Sequence, residues 1–278
     1  MKKALKILAA AVSMSLAVLT PARAAPEEET VSNAYLHLDG AMDEWAAAPA
    51  LRLPSSYHGG HLDSWNNSVI YDDALVIIAY ANRKDNADSL ERAKNMGDAF
   101  LQMQAKDPIG DGRVRNSYGP ENLFDADGVP NILSTGTAAG NQAWAGMALA
   151  HLAHVTKDAK YRDGALRVGE WLLRETSDSR GTGGFTAGYG ANGEKMAWNS
   201  TEHNIDMVGL FEMLHQLTND DKWSKACEQA REFVKSMWDE KEGRFHIGTK
   251  PDGVTINRDE YIPEDVQSWG YLALRSDR

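Results

Sequence analysis

Cysteine is almost missing from this chain of 278 residues: Cys227 stands alone, so no internal disulfide framework holds the fold. It sits among Trp223, Ala226, Ala230 and Phe233 at helical spacing, the setting of a buried structural thiol rather than a nucleophile. Basic residues are scarce as well. Lys and Arg number 29 against 40 Asp and Glu, a net charge of -11, which argues against nucleic acid or an anionic membrane surface as partner. After the N-terminus no stretch approaches the roughly 20 uninterrupted apolar residues of a membrane helix. Several catalytic signatures are also lacking. Gly181-Thr-Gly-Gly184 and Gly188-Tyr-Gly190 are not followed by Lys-Ser/Thr and do not match a phosphate loop, and no G-x-S-x-G elbow occurs. Asp125-Ala-Asp127-Gly128 lacks the later ligands and closing Glu of a calcium loop and reads as a turn. No cofactor or metal is expected.

What is present begins with a secretory pattern. Met1-Lys2-Lys3, an apolar run from Ala4 to Leu19 and Pro21-Ala22-Arg23-Ala24 have the charge, core and small-residue cleavage site of a signal peptide. Removing residues 1–24 takes the net charge to -15. The mature chain is expected to be soluble, without membrane insertion, and periplasmic or secreted. Residues 25–64 read as an N-terminal arm; Leu38-Asp-Gly-Ala-Met-Asp-Glu-Trp45 has a faint likeness to the start of carbohydrate-binding β-sandwich modules, but too few residues follow to build one.

From Trp65 to Arg278 a repeat decides the fold. Apolar helices expected over Val69–Ala81, Thr137–Val155 and His203–Leu217 alternate with amphipathic ones over Ala87–Lys106, Lys160–Thr176 and Lys222–Trp238. Asp88-Ser-Leu-Glu91 reads as a capping box and Asp158 as a cap. A fourth apolar helix starts at Glu264 and is still in pattern near Arg278. Points near Asp72, Gln142, Asp206 and Gln267 recur about every 60 to 70 residues. Links within each pair are short, whereas Asp107–Gly136, Ser177–Thr201 and Asp239–Pro263 are long, gather at one end of the pairs and carry Gly, Asn and aromatics. Long loops in a compact domain are usually functional. Gly243–Gly248 and Val254–Ile256 around Pro251-Asp-Gly253 suggest a small β-hairpin.

Trp65-Asn-Asn-Ser-Val-Ile-Tyr-Asp-Asp-Ala74, Gly140-Asn-Gln-Ala-Trp144, Ser200-Thr-Glu-His-Asn-Ile-Asp206 and Glu264-Asp-Val-Gln-Ser-Trp269 resemble the inner-helix starts of the six-hairpin glycosidase superfamily. The resemblance implies an all-α fold, an (α/α)6-toroid-like array of helical hairpins, with a substrate groove across the N-terminal ends of its inner helices. It also implies a polysaccharide or oligosaccharide substrate. Only about three and a half hairpins are present. The expectation is a truncated product, unless a partner chain completes the ring or the open arc is itself a binding surface.

Cleaving a glycosidic bond generally takes two carboxyl groups. Glu202 is the candidate general acid and Asp72 or Asp265 the general base of an inverting hydrolase. Asp206, one turn below Glu202, would raise its pKa. Substrate contacts are assigned to His203, Asn204, Asp206, Asp73 and Arg115, with Trp65, Trp144, Trp198 and Trp269 as platforms for sugar rings; Trp171, Trp223 and Trp238 read as core residues of the outer helices. Two alternatives stay open. One is a non-catalytic glycan-binding or scaffold protein, in which these acids merely cap helices. The other is a polysaccharide lyase using Tyr118, Tyr189 or His203 as base and Arg113 or Arg115 to neutralise a uronate.

Overall fold

The computed structural model describes residues 27–45, 50–62, 65–84, 86–258 and 261–274. The expected signal segment 1–24 and the end of the last helix beyond Leu274 lie outside them. Two compact units divide at Ala41 and Met42. The described part of the first, residues 27–41, lies within one helix, α1 (Glu27–Met42), which takes in most of the stretch with the faint β-sandwich likeness. The second begins at Met42. Its residues 50–56 lie along the first hairpin, where Asn95 accepts from the Arg52 amide at 3.0 Å and donates to the Ala50 carbonyl at 2.9 Å.

The hairpins follow in order: α2 (Ile70–Asn82) with α3 (Ala87–Lys106), α4 (Ala139–Thr156) with α5 (Ala159–Thr176), α6 (Thr201–Thr218) with α7 (Asp221–Ser236), then α8 (Glu264–Leu274). Helices α2, α4, α6 and α8 pack against one another in succession and form the inner layer, while α3, α5 and α7 back them. Composition explains the division. Helix α4 is rich in Ala, Gly, Met and Leu and buries twelve of its 18 residues, whereas α7 buries only Trp223, Ala226, Cys227, Ala230, Phe233 and Val234 along one stripe.

Two inner-to-outer turns share one device. Lys157 and Asn219 adopt left-handed φ of 61° and 54°. Asp158 and Asp220 then cap the outer helices by accepting from the amides of Lys160 and Lys222, each at 3.0 Å. At α3 the cap is Asn86, which accepts from the Asp88 amide at 2.9 Å; the expected capping box at Asp88 is displaced because Ala87 is already helical. Helix α7 stops at Ser236, so Trp238 is not an outer-helix core residue. It is 38% exposed and packs on Phe245 at 4.9 Å between ring centres.

Each long loop contributes short antiparallel strands. β1 (Ser68–Val69), β2 (Ser117–Tyr118) and β3 (Ile132–Ser134) form one sheet, in that order. β4 (Thr137–Ala138), β5 (Thr186–Tyr189) and β6 (Lys195–Asn199) form another, which is why α4 begins at Ala139 rather than Thr137. In the third loop β7 (Trp238–Asp239) pairs with β8 (Arg244–Phe245). The expected hairpin around Pro251–Gly253 shrinks to a single bridge, Thr249 with Ile256, because Arg244 and Phe245 take Trp238 and Asp239 as partners.

A side-chain amide at the fourth residue of three inner helices, buried at Gln142 and Asn204 and half-buried at Gln267, ties each loop down. Gln142 accepts from the Val114 N–H at 3.1 Å and donates to the Val114 carbonyl at 2.6 Å. Asn204 does the same to Phe185 at 3.0 and 2.9 Å, and Gln267 to Phe245 at 2.8 and 3.0 Å. Val114, Phe185 and Phe245 are buried. Gln142→Leu would strand both polar groups of a buried peptide, at about 1–3 kcal/mol each. We expect a loss of about 2–4 kcal/mol, read as a fall in the thermal unfolding midpoint; a loss below about 1 kcal/mol would show that the clamp is not structural.

Candidate active site

The start of α6 is fixed from two sides. Thr201 donates its amide to Ile247 O at 3.0 Å and its hydroxyl to His246 O at 2.6 Å, and Ser200 caps the helix by accepting from the His203 amide at 3.3 Å. Gly248 makes this approach possible: a Cβ there would lie 2.0 Å from Asn199 O. Side chains of the first turn are therefore held by the third loop as well as by their own helix.

Equivalent positions on the inner helices build the site in two rings. The second residues are Tyr71, Gly140, Glu202 and Asp265; the sixth, one turn deeper on the same face, are Leu75, Trp144, Asp206 and Trp269. Gly140 leaves the space that its neighbours fill, since a Cβ there would lie 2.6 Å from His203 Cδ2 and 3.1 Å from Asp206 Oδ2. Trp144 touches Tyr71 and Trp269, with ring centres 5.2 and 5.7 Å apart. Trp144, Asp206 and Trp269 line a cavity of about 760 Å³ that continues along α6 and α8 past Gly209, Glu212 and Leu272.

The electrostatics follow from crowding acids in partial burial. Burial, then the charge of Asp265, raises the Glu202 carboxyl. Burial, then Glu202 and more weakly Asp265, pushes Asp206 well above the usual carboxylate range, with Trp144 opposing. The Tyr71 phenol is raised by burial and then by Asp206, Glu202 and Asp265. A helix N-terminus alone would lower carboxylate pKa values, so desolvation and like-charge repulsion outweigh it here. Burial also pulls His203 down to about 4, leaving a neutral imidazole at neutral pH.

Of the residues singled out in the sequence, Glu202, Asp265, Asp206, His203, Trp144 and Trp269 come together. Asp72 is half-buried next to Tyr71, and its charge acts on Asp73. Asp73 is 1% exposed and accepts from Ser68 Oγ at 2.7 Å, which places it behind the groove rather than in it. Asn204 is spent on Phe185 and Ser200. The Arg115 guanidinium is spent on Asp107, at 3.0 Å through Nη2, and on Thr135 O at 2.7 Å. Arg113 holds Asp111 at 2.7 Å. Tyr118 is buried, and its hydroxyl accepts from the Arg115 amide at 2.7 Å; Tyr189 donates to Glu175 at 2.8 Å. Trp65 is 56% exposed and meets Tyr57 edge-on, apart from the acid cluster. Trp198 stands 6.1 Å from His203 and borders a separate cleft with Lys250 and Asn257. Tyr71 and Gly140 carry no role in the sequence reading. Aligning the helix starts would have marked both, since they share the register position of Glu202.

Among the described residues one trio has metal-ligand spacing, Asp239, Glu242 and His246. Arg258 already bonds Asp239 Oδ2 at 2.8 Å and lies 3.2 Å from His246 Nε2, so a guanidinium stands where a cation would go.

No family model matches the chain, and no curated protein matches it. Solved structures do. D-mannose isomerase superposes with a TM-score of 0.67 at 15% identity, over 90% of this chain and 67% of its own. Cellobiose 2-epimerase from Spirochaeta thermophila gives 0.61 at 15%, over 92% and 71%. A family 76 α-mannanase from Bacteroides thetaiotaomicron gives 0.59 at 15%, over 79% and 58%. The fold is that of an (α/α)6 toroid, incomplete in this chain. This chain spans about three fifths of the mannanase and two thirds of the isomerase, and its described residues supply four of the inner helices of the (α/α)6 arrangement.

A buried acid whose pKa is raised by folding stabilises the native state below its unfolded value, near 3.8, and that contribution is lost as pH rises through the folded value. Asp206 is such a group. Asp206→Asn should therefore raise the unfolding midpoint at neutral pH and flatten its decline from acid to neutral pH. Parallel curves for the two proteins would show that Asp206 is not desolvated in the native state.

Proposed function

We propose that this protein is an exported carbohydrate-active enzyme that hydrolyses a glycan, with Glu202 as general acid and Asp265 as general base. The observation that supports this best is the convergence of Glu202, Asp206 and Asp265 from two adjacent inner helices, where Asp265 raises Glu202 and both raise Asp206. A general acid must hold its proton near the working pH, and burial beside Asp265 shifts Glu202 in that direction. In an inverting hydrolase the two would hold a water between acid and base. Asp72 remains the alternative base. Tyr71 is placed to donate a hydrogen bond, since its raised pKa keeps the phenol protonated. Trp144 and Trp269 offer apolar faces to a sugar ring. No described helix is long and apolar enough to cross a membrane; export rests on the segment 1–24, and the matched isomerase, epimerase and mannanase support a sugar as substrate.

His203 favours one second reading, a sugar isomerase or epimerase. A neutral imidazole beside a phenol and carboxyl groups can move protons at carbon without breaking a glycosidic bond. The products separate the two: hydrolysis releases new reducing ends, whereas isomerisation leaves their number unchanged.

Glu202→Gln and Asp265→Asn should each lower kcat by about 10²–10⁴-fold, the usual weight of general acid–base catalysis, with circular dichroism unchanged. Because Glu202 is raised, wild-type activity should fall on the alkaline limb as that carboxyl ionises. Full activity of Glu202→Gln on a confirmed substrate would remove Glu202 from the mechanism. Binding without turnover, unaffected by removing Glu202, Asp72 and Asp265 together, would identify a glycan-binding protein instead.

A further inference from the structure

The cavity beside the acids has a composition that a neutral sugar does not require. Its described lining includes two carboxylates, Asp206 and Glu212, two indoles and apolar side chains, with no lysine or arginine. Asp206 is 3% exposed, and its Oδ2 is buried with no hydrogen bond of normal geometry, the Trp144 indole acting on the carboxyl as a weak donor only. A buried carboxyl oxygen left unpaired costs about 1–3 kcal/mol or more unless a ligand satisfies it. Gly140 lets that oxygen approach α4, since a Cβ there would lie 3.1 Å from it, and Asp206 lines the cavity. Trp144 and Trp269 sit at the same depth on the inner helices flanking α6, and Tyr71 continues the aromatic wall beyond Trp144.

Aromatic faces around a carboxylate are the chemistry that recognises an organic ammonium, through ring quadrupoles and a charge-assisted hydrogen bond. A bare metal ion fits less well, because Glu202, Asp206 and Asp265 are not gathered at ligand spacing. We propose that the Asp206 cavity binds the free ammonium of an amino sugar, so that the substrate class is a glycan carrying non-acetylated amino groups. This rests on the glycan reading given above and names the substituent that the site selects. An ammonium entering the cavity would pair with ionised Asp206. Burial raises the Asp206 carboxyl, so pairing with an ammonium would favour release of its proton to solvent, whereas an uncharged sugar would not.

Calorimetry on the full chain tests this at pH 6 and physiological salt, with a glucosamine hexasaccharide, its fully N-acetylated counterpart and cellohexaose, each in buffers of different ionisation enthalpy. We expect the glucosamine oligomer to bind at least about tenfold more tightly than the other two and to release up to one proton per site. Asp206→Asn should abolish both the preference and the proton release. Trp269→Leu should weaken binding of the amino sugar while the proton release persists. Equal affinities, failure of the glucosamine oligomer to bind, or a preference retained by Asp206→Asn would each overturn the proposal. If the neutral oligomers bind equally well and are cleaved, amino-sugar selection fails while the hydrolase reading stands. If the amino sugar binds as expected but no oligomer is turned over, the reverse holds.

Discussion

The architecture depends on one repeated interaction, a side-chain amide at the fourth residue of an inner helix that takes both hydrogen bonds of a buried peptide in the preceding loop. A loop of two dozen residues cannot lie against a helix end without burying backbone polar groups, and each must be paired. Gln142, Asn204 and Gln267 pair them two at a time at Val114, Phe185 and Phe245. An amide suits the task because it presents a donor and an acceptor side by side, matching the N–H and C=O of one residue. Asp73 occupies the same register in the first hairpin and takes a hydroxyl, Ser68, instead. There burial pushes the carboxyl well above the usual carboxylate range.

Helical geometry then separates anchoring from chemistry. Positions two residues apart on a helix point about 200° away from each other, whereas positions four apart share a face. The fourth residues accordingly turn outward to the loops while the second and sixth turn inward. Phe185 and Phe245 can stay locked while Tyr71, Glu202, Asp265, Trp144, Asp206 and Trp269 face one another. The same register that secures the loops crowds the acids. Burial with like charges nearby shifts Glu202 and Asp206 in the direction that proton-transfer chemistry needs.

Much of this was legible before any coordinates. Apolar and amphipathic helices alternate in the sequence as they do in space, because the inner layer is covered on all sides and the outer layer on one. The Ser200–Asp206 stretch likewise stood out through its density of polar groups. What escaped was the face each residue would take. Asn204 reads as a sugar ligand until its helix position shows that it faces Phe185. Arg115 reads as an anion receptor until Asp107, eight residues earlier, is seen to fill its guanidinium. Trp238 reads as helix core until strand pairing ends α7 two residues before it. These are tertiary pairings, and local periodicity carries no information about them. Tyr71 was missed for a different reason: its register identity with Glu202 is present in the sequence, but an aromatic residue on an apolar helix resembles core.

The balance at the start of α6 also bears on what the site can be. An acid cluster meant only to cap helices would sit in water, where each carboxylate gains from the helix dipole and keeps an ordinary pKa. Asp206 sits one turn too deep to reach the free N–H groups and is desolvated. Its position offers the helix nothing and costs the fold stability once it ionises. The neighbouring inner helices could have placed an apolar residue there, as α2 does with Leu75. Asp206 is not among the groups that raise Glu202, so a carboxyl kept where it destabilises the protein is accounted for by whatever enters the cavity beside Trp144 and Trp269, and by nothing in the packing.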